Sequence, residues 1–356
     1  MNDDYENQAD GEVSSGSLIS LGQVCSFLHV LSREEIERLF AEQNAIEVRT
    51  PNLPVVVPQL HAHSLTELLE IAERYKLMSH GLFGETFCLF RGQSQDYYDH
   101  GCFCCPPPAY RTREWQDRFS CDNKSLADEL VRWEAVLGRL GADLRTGVAA
   151  FESQRVDDQH AVFRSNIDNS PAARITSNRE FLAILQHYGF PTASLDVTTD
   201  LFVAVWFALH KGVRDERRAI RFEPRTSVPS YVRGTPFELR GIPSIQIYLE
   251  NPELGVIHRL IDSEFLKGTA RRPFAQQAFS LPFTEYSVRF STPNKLNLKV
   301  ARPSFRSPVV VIKLHFAAEE LARHRPDLTI DELFPKEEAL YKELLRAEAP
   351  HLDRYA

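Results

Sequence analysis

Apolar residues recur along this chain in two rhythms, and the rhythm changes from one part to the next. In the C-terminal part, residues 244–249, 287–291, 296–301 and 308–316 are β-branched or alternate apolar with polar residues between Pro, Gly and Asn breaks, the pattern of strands. Two helices, over 317–324 and 335–347, are predicted to close the chain. Earlier, spacings of three and four dominate. Ser64-Leu65-Thr66-Glu67 reads as a capping box, in which a hydroxyl and a carboxylate satisfy reciprocal backbone donors at a helix start. Leu65, Leu68, Leu69, Ala72 and Tyr75 then share one face. Leu126, Leu130, Trp133 and Leu137 mark a further helix over 125–140. A second capping box, Ser177-Asn178-Arg179-Glu180, opens a helix through Phe181, Leu185 and Tyr188 that stops at Gly189, a left-handed position after the helix, with Pro191 beyond.

Two segments depart from amphipathic patterning. Residues 200–211 are apolar on nearly every side, so this helix is expected in the core. Residues 85–90 are short, apolar and aromatic between Gly84 and Gly92, which predicts a buried strand delivering Arg91 at its end. The stretch 191–199 reads as a tight connection that holds Thr192, Asp196 and Thr198 against the start of the core helix, where free backbone N–H groups favour an anion. Residues 93–124 read as a long loop, and 141–175 carry no resolvable pattern. A short amphipathic helix is expected over 32–43, followed by extended chain around Pro51, Pro54 and Pro58. The resulting class is α+β: a single mixed domain with a buried central helix and a mostly antiparallel sheet, flanked by peripheral helices. The expected boundaries are a disordered tail over 1–18, an extension over 19–60, the main domain over 61–345 and a C-terminal tail over 346–356.

Composition narrows the function. The 356 residues are 43% hydrophobic and 25% charged, with a net charge of −8. An acidic balance opposes non-specific nucleic-acid binding, which depends on many Lys and Arg contacts to phosphate. No run approaches the roughly 20 apolar residues of a membrane span, and residues 1–16 lack the apolar core of a signal peptide, so a cytoplasmic location is expected. His100, Cys102, Cys104, Cys105 and Cys121 supply soft ligands for zinc. Their C-x-C-C spacing lacks paired C-x-x-C knuckles, and reduced thiols in a loop are the favoured reading.

The polar residues at the ends of apolar elements form the candidate site. Arg91 presents a planar fork that clamps phosphate or carboxylate, or else forms a structural ion pair, for instance with Asp196. Gly92 and Gln93 follow it. Arg111, in the loop, is a second anion clamp or a solvated residue. His187 is a proton carrier or, in the last helical turn, a complement to the helix dipole. Asp196 orients His187 or pairs with Arg91, Gln186 reads an amide or ribose edge, and Tyr188 joins the ligand site or packs. Thr198 is a catalytic candidate weighed against a helix cap. Gln276 and Gln277 approach the same site, and Glu285 is an alternative acid. Arg91, His187 and Asp196 are expected to approach one another.

Phe90-Arg91-Gly92-Gln93 and Gln186-His187-Tyr188-Gly189-Phe190-Pro191-Thr192 resemble the signature of the FRG domain family. Further ordered likenesses are Pro107-Pro108-Ala109-Tyr110-Arg111, Ser194-Leu195-Asp196-Val197-Thr198, Arg272 through Phe279, and Leu333-Phe334-Pro335, so the resemblance spans roughly residues 60–345. It departs at Val197 and Ala278, where the family usually has Trp and Gly. The family's activity is poorly defined, so the resemblance implies a place more than a reaction. The order of Arg91-Gly92, then Thr198 and Asp196 before a core helix, then a late polar strand is loosely similar to ADP-ribosyltransferases. In those enzymes an Arg holds NAD and a Glu promotes transfer. No Q-x-E or E-x-E assigns that Glu here. The implied partner is a small anionic or nucleotide-like ligand, with NAD as the cofactor to test. A non-catalytic sensing module is the alternative. A nuclease in antiviral or phage defence ranks third, because only Asp196 and Asp200 lie near the cluster.

Overall fold

A computed structural model describes residues 45–49, 54–83, 87–95, 124–141, 179–189, 194–214, 219–227, 241–250, 258–260, 264–282, 286–292, 295–300, 308–349, 352 and 354–355. By contacts the chain divides after Ala45, and apart from Ala45 the described residues belong to the second unit, residues 46–356. The class is α+β. An eight-stranded sheet runs in the order β1-β2-β12-β7-β3-β4-β9-β8. Its strands are β1 (Ala45–Arg49), β2 (Pro54–Ala62), β3 (Phe87–Gln93), β4 (Ser194–Thr198), β7 (Ser244–Glu250), β8 (His258–Arg259), β9 (Ala278–Pro282) and β12 (Val310–Leu314). β12 is parallel to β2, whereas the β12/β7, β7/β3, β3/β4, β4/β9 and β9/β8 pairs are antiparallel. Two small sheets stand apart: a hairpin of β10 (Tyr286–Thr292) and β11 (Lys295–Val300), and a trio of β5 (His210–Arg214), β6 (Ala219–Pro224) and β13 (Arg354–Tyr355).

The helices are α1 (Leu65–Phe83), α2 (Lys124–Arg139), α3 (Arg179–His187), α4 (Leu201–Leu209), α5 (Glu264–Thr269), α6 (Arg272–Ala275), α7 (Ala318–His324), α8 (Ile330–Leu333) and α9 (Ala339–Arg346). α1 starts as its capping box predicts on one side: Ser64 Oγ accepts from Glu67 N–H at 3.1 Å. Glu67 reaches back one residue further than expected, to His63 N–H, and Glu320 accepts from Leu65 N–H. α4 is the expected core helix, with Leu201, Val203, Ala204, Val205, Trp206, Ala208 and Leu209 buried. It lies directly on β3 because Gly92 has no side chain. A Cβ there would collide with the Ala204 carbonyl and come within 2.8 Å of the Ala208 nitrogen. Packing α4 on the sheet therefore specifies glycine at position 92.

Strand alternation assigns the two faces of the sheet. Register places Phe90 opposite Ile247 and Thr198, and Ile245 opposite Ile312. These residues, with Gly92, occupy the face that carries α4. Beyond them, Trp133, Val136 and Leu137 of α2, Ile184 and Leu185 of α3, and Leu340, Tyr341 and Leu344 of α9 form one core with Ala278 of β9. The opposite face carries Leu89, Leu195, Val197, Tyr248, Phe279 and Leu281 as a second apolar cluster.

Three local readings are corrected by the fold. Residues 194–198 form strand β4 rather than a tight connection. Leu195 and Val197 point into the second cluster, and all five residues pair with β9. β3 continues through Gln93, so Gln93 is a strand residue. α4 ends at Leu209, and His210 and Lys211 begin β5. The described residues contain no helix long and apolar enough to cross a membrane.

Candidate functional site

The expected site residues divide between the two faces of the sheet. On the helix side, His187 ends α3, and Gly189 follows at φ +101° as the predicted left-handed stop. The His187 side chain is 4% exposed, and its Nε2 lies 3.7 Å from Asp196 Oδ1 on β4. Its Nδ1 is 3.1 Å from Gln276 Oε1, while Gln276 Nε2 donates to the Leu333 carbonyl at 2.9 Å. That second bond fixes which end of the amide faces the imidazole. Gln276 Oε1 accepts, so the neutral ring carries its proton on Nδ1 and turns the Nε2 lone pair toward Asp196. Neither Nε2 nor Asp196 Oδ1 has a hydrogen-bond partner among the described residues. Burial pushes His187 below the ordinary histidine value. Asp196 and the Gln276 bond pull it up, and Arg272 adds to the fall.

Arg272 anchors this centre from beneath. It is fully buried, donates from Nη1 to the His187 carbonyl at 2.8 Å, and lies over the rings of Tyr188, Tyr341 and Phe334. Its Nη2 is 3.6 Å from Glu338 Oε1, and Glu338 Oε2 accepts from the Arg271 and Arg272 N–H groups at 2.7 and 3.0 Å. Tyr188 thus packs as a floor for Arg272. Gln186 is buried in the last turn of α3. Gln277 is exposed at φ +46°, a left-handed conformation uncommon for a residue with a Cβ, and its Nε2 donates to the Phe274 carbonyl.

Thr198 and the start of α4 behave as caps. Asp200 N–H donates to Thr198 Oγ1 at 3.0 Å, and Asp200 Oδ1 accepts from Phe202 and Val203 N–H. The donors expected to draw an anion to this helix start are already used by its own carboxylate.

Arg91 leaves β3 on the other face. β3 and β4 pair only at Phe90 and Thr198, and Arg91 Nη1 spans the seam beyond that pair to donate to the Asp196 backbone carbonyl at 2.7 Å. Asp196 therefore meets both expected partners. It offers its carboxylate to His187 and its main chain to Arg91, and the Arg91–Asp196 ion pair of the sequence reading becomes a hydrogen bond to the carbonyl.

Around Arg91 lies a group the sequence reading missed. On the same face, register aligns Arg91 with Gln246, Gln93 with Ser244, Ser244 with Lys313 and Lys313 with His61. Gln246 Nε2 donates to Gln93 Oε1, and Tyr248 Oη donates to Gln246 Oε1, both at 2.8 Å. Arg91 is 8% exposed, Gln59 4% and Lys313 0%. Strands that alternate polar and apolar residues ordinarily turn their polar side to water, so polar residues this deeply buried mark an unusual place. One signal was legible: Lys313 interrupts Val309-Val310-Val311-Ile312 and Leu314, and Gln246 alternates with Ile245 and Ile247.

Arg111, Glu285 and the zinc candidates His100, Cys102, Cys104, Cys105 and Cys121 lie outside the described residues. Burial raises the Cys88 thiol to about 12, which keeps it protonated and unreactive.

A mixed sheet with a core helix laid on a glycine of its central strand, and motif residues gathered around β3, β4 and α3, defines an α+β domain protein. The FRG domain family model matches residues 125–217, from α2 through α4 and β5. The chain carries an FRG domain over these residues. No curated protein and no solved structure matches it.

Proposed function

We propose that this FRG domain protein binds an anionic, nucleotide-like ligand on the polar face of its central sheet, at Arg91, Gln93 and Gln246. One observation carries the reading. Two cations, Arg91 and Lys313, share a buried sheet face with the amides of Gln59, Gln93 and Gln246 and the hydroxyl of Tyr248. Withdrawing such groups from water is costly, and the set matches what a nucleotide needs. A guanidinium fork and an ammonium meet phosphate oxygens, and amides meet base or ribose edges. NAD and ADP-ribose are the ligands to titrate.

A catalytic version of this reading is favoured by His187. Its Nε2 lone pair is aimed at Asp196, whose carbonyl Arg91 holds, so a proton acceptor lies one residue's thickness from the anion face. Calorimetric titration of the full chain with NAD and ADP-ribose, followed by assay of nicotinamide release, separates the versions. Binding weakened at least tenfold in Arg91→Gln and Gln93→Ala, each shown by its thermal unfolding curve to be fully folded at the temperature of the titration, supports recognition. Release that is also lost in His187→Gln supports an NAD-consuming enzyme. Absence of binding by either nucleotide at about 1 mM removes the proposal.

A further inference from the structure

We infer that the polar face of the sheet ends, on its solvent side, in a phosphate-binding site built by His61, His63 and His315 with the charge of Lys313 behind them. This rests on the reading that the face takes an anionic, nucleotide-like ligand, and it names the place where a phosphate group of that ligand is held.

The fold puts these residues in one row. β2 and β12 run parallel with His61 beside Lys313, and pairing continues past the strand end, where His315 N–H donates to the Ala62 carbonyl at 2.8 Å. The His315 ring stacks on both neighbours, at 5.0 Å and 24° to His61 and at 4.7 Å and 19° to His63. Gln59 is buried, His61 and His315 are half-buried and His63 is exposed, so the row leads from the interior to water.

Hydrogen bonds give the row a direction. Gln59 Nε2 donates to His61 Nε2 at 3.4 Å, which leaves the His61 proton on Nδ1, 2.8 Å from His315 Nε2. His315 in turn carries its proton on Nδ1. The order runs from a buried amide through His61 to His315, so both rings carry their proton on Nδ1, and the stack continues to the exposed ring of His63.

Among the described residues, the charged groups acting on these rings are His63, Lys313 and the Glu67 carboxylate of α1, and on His315 also His61. Burial and the basic neighbours lower His61 and bring His315 to about 4, with Glu67 opposing. A bound dianion offsets the repulsion and lets the rings take up a proton, so affinity rises as pH falls. A metal fits less well. The stacked rings do not converge their lone pairs, His61 Nδ1 and His315 Nε2 are joined to each other, and the described residues hold no group of three or more His, Cys, Asp or Glu able to bind one.

The test titrates the full chain with sulfate, a dianion throughout the range used, at about pH 7.5 and about pH 5.5. Affinity is expected to rise about tenfold at the lower pH in the unaltered protein, and less than about twofold in His315→Gln. Lys313→Met is expected to weaken binding at both pH values. If that buried substitution prevents folding, His63→Gln on the exposed ring serves instead, with an expected loss of about threefold. A pH-independent affinity, equal binding by His315→Gln, or no sulfate binding overturns the inference. ADP-ribose that displaces sulfate identifies the site as the phosphate end of a nucleotide, and sulfate bound without displacement identifies a site for a free oxyanion. ADP-ribose that binds through Arg91 and ignores His315→Gln removes this site alone. Proton-linked sulfate binding with no nucleotide binding anywhere removes the nucleotide reading and leaves the site.

Discussion

The two faces of the central sheet bury comparable strands by different chemistry. Along β3, β7 and β12 the helix-bearing face follows the hydrophobic rule: Phe90, Ile245, Ile247 and Ile312 line the face that carries the apolar helix α4, and Gly92 lets the two backbones approach. Burial there is favourable at roughly 25 cal/mol for each Å² of apolar surface. The opposite face buries Arg91, Gln93, Gln246, Tyr248, Lys313 and Gln59. Those residues must be satisfied one by one, through bonds such as Gln246 to Gln93 and Tyr248 to Gln246. The first face holds the fold together, and the second constrains what surrounds it. A buried polar network persists where its groups have a task or where each answers another, and experiment distinguishes these cases.

The largest expected effect lies on the helix side, at its buried ion pair. Glu338 accepts from two main-chain N–H groups at the start of α6 and faces the fully buried Arg272. Glu338→Ala withdraws that carboxylate from a guanidinium held among three aromatic rings and should lower unfolding stability by about 3–5 kcal/mol in urea denaturation. Arg272 also grips the His187 carbonyl, so the His187–Asp196 geometry should loosen with it. A loss under about 1 kcal/mol would mean that the helix side depends on apolar packing alone.

A smaller effect distinguishes the polar face. Gln246→Leu makes that face more apolar, yet it removes the partner of Gln93 Oε1 and the acceptor of Tyr248 Oη, and it should destabilise by about 1–3 kcal/mol. The double variant Gln93→Leu with Gln246→Leu should recover part of that loss, because paired removal leaves fewer buried polar atoms. The comparison sharpens if the double variant is as stable as the unaltered chain and has lost nucleotide or sulfate binding, for then the face is kept for its ligand. A double variant that retains binding would show the network to be structural.

How much of this was legible in the sequence depended on whether a pattern is local. Gly189 announced the left-handed end of α3, and the unbroken apolar run after Asp200 announced the core helix, because backbone conformation and uniform burial are written in adjacent residues. Strand β4 was missed. Only its pairing with β9, more than eighty residues on, makes Leu195, Val197 and their neighbours extended. The split of Arg91 from His187 was hidden for the same reason. Motif order along a chain carries no information about sheet faces, and a one-residue change of parity moves a side chain to the other side. The polar alternation of β7 and the lysine within β12 were visible, but alternation alone does not say that the polar side is covered.

The smallest effect lies on the helix side, at the start of α4. Asp200 Oδ1 accepts from Phe202 and Val203 N–H, and Thr198 Oγ1 accepts from Asp200 N–H, so two side chains close the helix that the sequence had offered to an anion. Asp200→Ala should cost about 1 kcal/mol, the ordinary value of a lost cap, read as a shift of the urea midpoint. It also frees two N–H groups at the positive end of the helix dipole and removes a negative charge. If an anion site lay here, sulfate affinity would climb in this variant. If anions are held on the opposite face, by Arg91, Lys313 and the histidine row, stability falls by that small amount and the sulfate isotherm stays where it was. An isotherm that moves by more than about threefold would transfer the anion site to the helix side, and with it the apparent difference between the two faces.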